Sequence, residues 1–98
     1  MAIRSFKDTI SEEIGEGKVS KRTRNRLPAE LHIKAQIKLA RLAAAASLKD
    51  LIELRGNRLE ILRGNRKGQF SIRINDQYRI CFLWIENDAY EVEITDYH

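Results

Sequence analysis

Cysteine, proline and histidine are all scarce in this 98-residue chain: it has one cysteine (Cys81), one proline (Pro28) and two histidines (His32 and His98). A single thiol excludes an internal disulfide and any cysteine-based metal cluster. Between Ile80 and Phe82 it reads as an ordinary strand residue of the core. Two histidines without cysteine partners are too few for a zinc or iron centre, so neither metal nor cofactor is expected. No apolar run approaches the ~20 residues of a membrane span, and Met1–Phe6 has no signal-peptide apolar stretch. HExxH, GxSxG, CxxC and the phosphate-cradling GxxxxGK[ST] are all absent, so nucleotide hydrolysis and the common hydrolase chemistries have no motif to stand on. The expectation is a soluble, cytoplasmic, single domain spanning residues 1–98 without a membrane segment, since one compact unit usually takes about 100–150 residues.

Bases are also missing from residues 80–98, which carry five acids and no Lys or Arg. That absence shows how uneven the charge is. Residues 1–17 sum to −2, residues 18–79 to +11 and residues 80–98 to −5, which together make the formal +4. An excess of +11 in the middle of so small a domain points to a polyanionic partner, although any one of these bases taken alone is more simply a solvated side chain.

The hydrophobic pattern gives an element order. Ala2–Phe6 alternates weakly and reads as a first strand. Asp8–Ile14 has helical spacing with Asp8 at its start, and Gly15 and Gly17 end it. Lys18–Arg26 reads as a basic connector carrying Lys18, Lys21, Arg22, Arg24 and Arg26. Pro28 suits the first turn of a long helix reaching about Ala46. Leu31, Ala35, Leu39, Leu42 and Ala46 form its apolar stripe, with Ile33, Ile37, Ala40 and Ala44 widening it. Glu30, Lys34, Lys38 and Arg41 fall on the solvent side, with His32 beside them as a surface histidine. Ser47 caps a further turn, Leu48–Leu51. After Gly56 the period becomes two. A short segment holds Leu59 and Leu62. Gln69–Ile74 then alternates, Tyr78–Trp84 reads as a central strand, and Tyr90, Val92 and Ile94 alternate in a last one, with turns at Asn75–Gln77 and Glu86–Asp88. The order β-α-α-β-β-β-β predicts an α+β domain with two N-terminal helices packed on an antiparallel sheet.

Chemistry-bearing residues gather in the second half. Arg55-Gly-Asn-Arg58 and Arg63-Gly-Asn-Arg66-Lys67-Gly68 set bases around turn glycines, where the backbone can approach a ligand and guanidinium forks match phosphate oxygens. Ser71 and Arg73 occupy the polar face of one strand. Arg79 stands in an otherwise apolar strand, where a charge must be paired or must face a site. A carboxylate of the last strand, Glu91 or Glu93, is its structural partner; a bound phosphate is the functional one. The chain ends on Asp96-Tyr97-His98, a titratable triplet that composition alone leaves as a loose tail. Metal-free phosphodiester cleavage needs only a base for a ribose 2′-hydroxyl, cations for the phosphate and an acid for the leaving oxygen, and these residue types supply all three.

In order, Gly56-Asn-Arg-Leu-Glu60, Gly64-Asn-Arg66, Gly68-Gln-Phe-Ser-Ile-Arg-Ile-Asn75, Gln77-Tyr-Arg-Ile-Cys-Phe82 and Val92-Glu-Ile-Thr-Asp-Tyr-His98 resemble the HigB branch of the RelE-type toxins. Ile3-Arg-Ser-Phe6 and the Leu42–Leu51 region fit the same family, so the resemblance runs along essentially the whole chain. It implies a microbial-RNase-like α+β fold and a type II toxin–antitoxin system. The toxin of such a system cleaves mRNA in the ribosomal A site. Its partner is a HigA-type helix-turn-helix antitoxin, and the complex alone touches operator DNA. Carried over, it implies Arg66, Arg73, Arg79, Asp96, Tyr97 and His98 as site residues. Glu60, where some members have histidine, is a further proton-transfer candidate, and base and acid stay unassigned. Arg58, Arg63, Arg66 and Lys67 are expected to hold RNA phosphate, with Lys18, Lys21, Arg22, Arg24 and Arg26 docking ribosomal RNA. Two other readings accompany this one: a basic protein or gyrase-directed toxin that blocks its target sterically, and an inactive toxin kept as an operon regulator.

Overall fold

The computed structural model describes residues 3–53 and 56–96; Tyr97 and His98, two of the expected site residues, lie outside the described residues, as do Ala2 and Arg55. Helix α1 (Thr9–Gly15) starts where expected, with the Asp8 carboxylate accepting the Ser11 N–H at 2.7 Å. It stops where Gly17 turns left-handed at φ +84°. The basic segment after it is not a connector. Lys21–Arg26 forms helix α2, because Ser20 and Thr23 make a reciprocal capping box: Thr23 N–H donates to Ser20 Oγ (3.3 Å) and Ser20 N–H to Thr23 Oγ1 (2.9 Å). Pro28 then precedes a short 3-10 turn, Ala29–Leu31, and helix α3 (His32–Ala44). That helix ends two residues earlier than predicted because Ala45 is extended, and α4 (Leu48–Glu53) follows. The Asp50 carboxylate accepts the N–H groups of Ala46 and Ser47 before it.

The faces of α3 differ from the expectation in an instructive way. Ala35, Leu39 and Leu42 are buried as predicted, but Ile33 and Ile37 are 66% and 48% exposed, while His32 and Lys38 are buried. Positions 31, 35, 38 and 42 follow the 3.6-residue period, so Lys38 falls inside the buried stripe and Ile33 and Ile37 lie around the helix from it. His32, far from being a surface histidine, contacts the Leu27 carbonyl through Nε2 at 2.7 Å.

The sheet is an antiparallel meander in the order β1 (Glu60–Ile61), β2 (Gln69–Arg73), β3 (Tyr78–Ile85) and β4 (Asp88–Asp96). Asn75 Oδ1 closes the first hairpin by accepting the N–H groups of Gln77 and Tyr78. Glu86 and Asn87, at φ +50° and +67°, make the two-residue mirror-image turn of the second. The predicted N-terminal strand is reduced to an extended segment touching β4 at two isolated parallel bridges, Ile3 with Ala89 and Phe6 with Val92. The α+β class holds, but four short helices precede the four strands in place of the expected strand and two helices.

Phe70, Ile72, Ile80, Phe82, Val92 and Ile94 on one face of the sheet pack with Ile14, Ala35, Leu39 and Leu42 of the helices. Strand alternation sends Ser71, Arg73, Arg79, Cys81, Glu93 and Thr95 to the other face. A bulge in β4, where the partners step from Cys81–Glu93 to Leu83–Tyr90, puts Glu91 at φ +53°. It also takes Tyr90 off the core face that the simple alternation with Val92 and Ile94 predicts.

Candidate active site

The face of the sheet turned away from the helices carries Glu60, Arg73 and Arg79 of the expected site residues. One cross-strand row reads Glu60–Ser71–Cys81–Glu93, and the next pairs Arg73 with Arg79 and Arg79 with Thr95. Residues directly opposite in an antiparallel pair are near neighbours, so register alone brings the two arginines and Glu60 together from three strands.

Arg79 is only 8% exposed. Its Nε donates to Ser71 Oγ at 2.6 Å, and its Nη2 donates to the Ser71 carbonyl at 3.3 Å and to the Arg58 carbonyl. Its ionic partner is Glu60, at 3.7 Å from Nη1 to Oε1. The sequence pointed to Glu91 or Glu93 instead; Glu91 is displaced by the bulge and Glu93 is engaged elsewhere. Arg66 Nη1 meets Glu93 at 2.9 Å and Gln69 at 3.2 Å, and Lys7 reaches the same carboxylate at 3.6 Å. The Arg73 guanidinium bonds to Asp76, and its backbone N–H donates to the Asn57 carbonyl at 2.6 Å.

Three guanidinium groups therefore look onto one sheet face, each beside a carboxylate. Fixed cations of this kind can hold a phosphodiester and stabilise charge that builds on it. Glu60, with 54% of its side chain exposed, is open to solvent beside the buried Arg79. Ser71, named in the sequence only for its face, proves to be the buried anchor of Arg79; nothing in a single sequence signals that, because it depends on strand pairing. Cys81 lies under the same face, where burial above all pushes its thiol above the usual range.

The other expected residues divide. Arg58, Arg63 and Lys67 are exposed on the segment that borders β1 and β2. Asp96 shares its register with Tyr78, which packs on the core, and its carboxylate accepts a hydrogen bond from Gln77 Nε2 at 2.9 Å. It therefore lies on the helix side of the sheet, one residue beyond the Thr95 that opposes Arg79. The 18–26 cluster belongs to the helical layer, where α2 packs on α1. Lys18, Arg22 and Arg26 there pair with Glu16, Glu13 and Asp8, respectively. Among the described residues Lys21 and Arg24 make no ion pair and stay exposed. A cleft of about 420 Å³ between the N-terminal segment, α1 and α3, lined by Ile3, Phe6, Gln36 and Leu39, contains none of the expected site residues.

Known proteins share the sequence and the fold of this chain. The profile of the HigB-like toxin family, described as the RelE-like toxin of type II toxin–antitoxin system HigB, matches residues 5–98. Toxin HigB-1 of Vibrio cholerae serotype O1 is 42% identical over 84 residues, covering 86% of this chain and 85% of its own. Endoribonuclease HigB of Proteus vulgaris is 42% identical over 41 residues, 42% of this chain and 45% of its own. Among solved structures, two of the YoeB–YefM complex from Staphylococcus aureus share the fold, each with a TM-score of 0.60 at 17% identity over 100% of this chain and 99% of the other. With its arginine-bearing sheet, its α+β fold and a family profile that spans nearly its whole length, this chain belongs to the HigB-like family of RelE-like toxins from type II toxin–antitoxin systems.

Proposed function

We propose that the protein is an endoribonuclease toxin that cleaves mRNA in the ribosomal A site, without a metal, and thereby halts translation. The observation that carries this is the Arg73–Arg79 pair on the outer sheet face with the Glu60 carboxylate 3.7 Å from the Arg79 guanidinium. The name of the Proteus vulgaris relative supports the reaction class. The ribose 2′-oxygen attacks the adjacent phosphorus, the new O2′–P bond forms and the P–O5′ bond breaks, leaving a 2′,3′-cyclic phosphate and a free 5′-hydroxyl. Arg79 and Arg73 neutralise the phosphorane charge, and Arg66 with Lys67 orients the backbone. The 2′-proton and the proton for O5′ pass through two groups drawn from Glu60, Tyr97 and His98; Asp96, expected from the resemblance, lies on the opposite face of the sheet. Of these, Glu60 stands beside Arg79.

The exposed bases Arg58, Arg63 and Lys67 hold RNA phosphate, and Lys21 and Arg24 on the helical layer supply salt-dependent contacts to ribosomal RNA. Neutralisation falls to a HigA-type helix-turn-helix antitoxin that presents an acidic segment, and operator DNA is met only through that complex. The setting is the cytoplasm, and no described helix is long and apolar enough to cross a membrane. The test is induction of the chain followed by mapping of mRNA 5′ ends, repeated with purified ribosomes. New 5′ ends at A-site codons, seen only with ribosomes present, are expected. Translation that stalls on intact mRNA overturns the proposal in favour of steric inhibition.

A further inference from the structure

We infer that Lys38 and Asn57 are positioning residues for the arginine pair: together they clamp the 56–58 segment whose carbonyls hold Arg73 and Arg79. The inference rests on the catalytic reading of that face and deepens it. Lys38, 5% exposed on α3, donates from Nζ to Asn57 Oδ1 at 2.9 Å. Asn57 is itself fully buried, and its Nδ2 donates to the Leu51 carbonyl of α4 at 2.9 Å. One asparagine thereby ties two helices to a loop. The backbone carbonyl of the same residue accepts the Arg73 N–H at 2.6 Å, and the next carbonyl, that of Arg58, accepts Arg79 Nη2.

The loop needs such a clamp. Gly56 and Arg58 flank Asn57 at φ +82° and +44°, and a non-glycine residue held left-handed persists only where its surroundings impose it. A Cβ on Gly56 would stand 3.6 Å from Lys38 Nζ, so the glycine lies directly over the ammonium. Nor is Lys38 a simple packing residue. Burying a cation is costly without a counter-charge, and among the described residues no carboxylate lies within ion-pair distance of Lys38. Burial first, then the charges of Arg41, Lys34 and Arg73, push its pKa below the usual lysine range. A buried cation kept beside other cations, bonded to one neutral amide, is explained by what that amide holds.

The experiment compares Lys38→Met, Lys38→Gln and Asn57→Ala with the unmodified chain in two measurements, amide hydrogen exchange and single-turnover cleavage of ribosome-bound mRNA. In Lys38→Met the Arg73 amide should exchange at least about tenfold faster while those of Ile80 and Ile94 keep their protection. The cleavage rate should fall roughly 10- to 100-fold with half-saturating ribosome concentration changed less than about twofold, as expected of misplaced rather than missing site groups. Lys38→Gln, which restores a neutral donor, should recover part of both. Unchanged Arg73 exchange in Lys38→Met, or in Lys38→Gln and Asn57→Ala if Lys38→Met does not fold, overturns the inference. If Arg73→Ala and Arg79→Met fold and cleave at the unmodified rate, it is the catalytic reading that fails, and the exchange data still decide whether the clamp exists.

Discussion

Replacing Arg79 with methionine separates its structural role from the catalytic one proposed for it. Methionine keeps the apolar stem but removes the donors to Ser71 Oγ, the Ser71 carbonyl and the Arg58 carbonyl. Hydrogen bonds to a charged group contribute about 1.5–3 kcal/mol each. Against that gross loss, the variant no longer has to take a guanidinium out of water, which costs several kcal/mol on its own. The Glu60 pair adds little, since that carboxylate is half exposed. What remains is the cost of carbonyls left without a donor, for a net destabilisation of about 2–4 kcal/mol. A domain of this size typically has about 5–15 kcal/mol to lose, so the variant should still fold, with a lower urea midpoint. Cleavage should fall further than stability. Removing one fixed donor to developing negative charge typically costs about 10²–10³ in rate. Arg79→Lys serves as the control that keeps the charge but not the fork. Urea titration by circular dichroism, alongside mRNA 5′-end mapping, reads both quantities. A folded Arg79→Met protein that cleaves at the unmodified rate refutes the site assignment. A variant as stable as the parent refutes the hydrogen-bond accounting.

Three further outcomes follow from local geometry. Burial alone would push the Asp8 carboxyl up, but the Ser11 N–H and the Arg26 guanidinium outweigh it and hold it below the usual range. With the folded pKa below an unfolded value of about 3.9, the contribution is whole above that pH and is lost as pH falls through the folded pKa. Asp8→Asn should therefore be less stable than the parent at pH 7, and the gap in urea midpoint should close under acid; a gap independent of pH contradicts the linkage. Replacing Glu86-Asn87, both left-handed, by Asn-Gly should raise stability by about 1 kcal/mol, because these residues carry less of the left-handed penalty; a lower thermal midpoint refutes it. Cys81, buried and with its thiol pushed up by that burial, should resist iodoacetamide in the native protein and react once urea unfolds it. Rapid native alkylation contradicts the burial.

How much of this was legible in the chain varies with the range of the interaction involved. The helix starts were local: Asp8 caps its own helix, and the Ser20–Thr23 box that ends up stabilising α2 was present in sequence, although the density of lysine and arginine there suggested a connector. The strands of the sheet and the turns after residues 74 and 85 were equally readable, because alternation and turn chemistry act over a few residues, whereas the strand expected at Ala2–Phe6 forms only two isolated bridges. The burial of Lys38 was concealed by its charge, though not by its position, since 31, 35, 38 and 42 fall on one helical stripe. The bulge at Glu91 could not be read at all, because it is defined by the strand opposite.

Taken alone, the sequence determined the α+β class, the four sheet strands, the uneven charge and the set of arginines from which the proposed phosphate site is drawn. All of these depend on residue type and short-range spacing. Only the tertiary structure decided which carboxylate meets which arginine: Glu60 rather than Glu91 or Glu93 at Arg79, Glu93 at Arg66, and Asp96 on the far side of the sheet. It also decided that Asn57 reaches from a loop to two helices. Strand register fixes these pairings, and register is settled by the burial of one whole sheet face against the helices. A one-residue slip would move every side chain to the opposite face. That condition belongs to the packed molecule and to no short stretch of its chain.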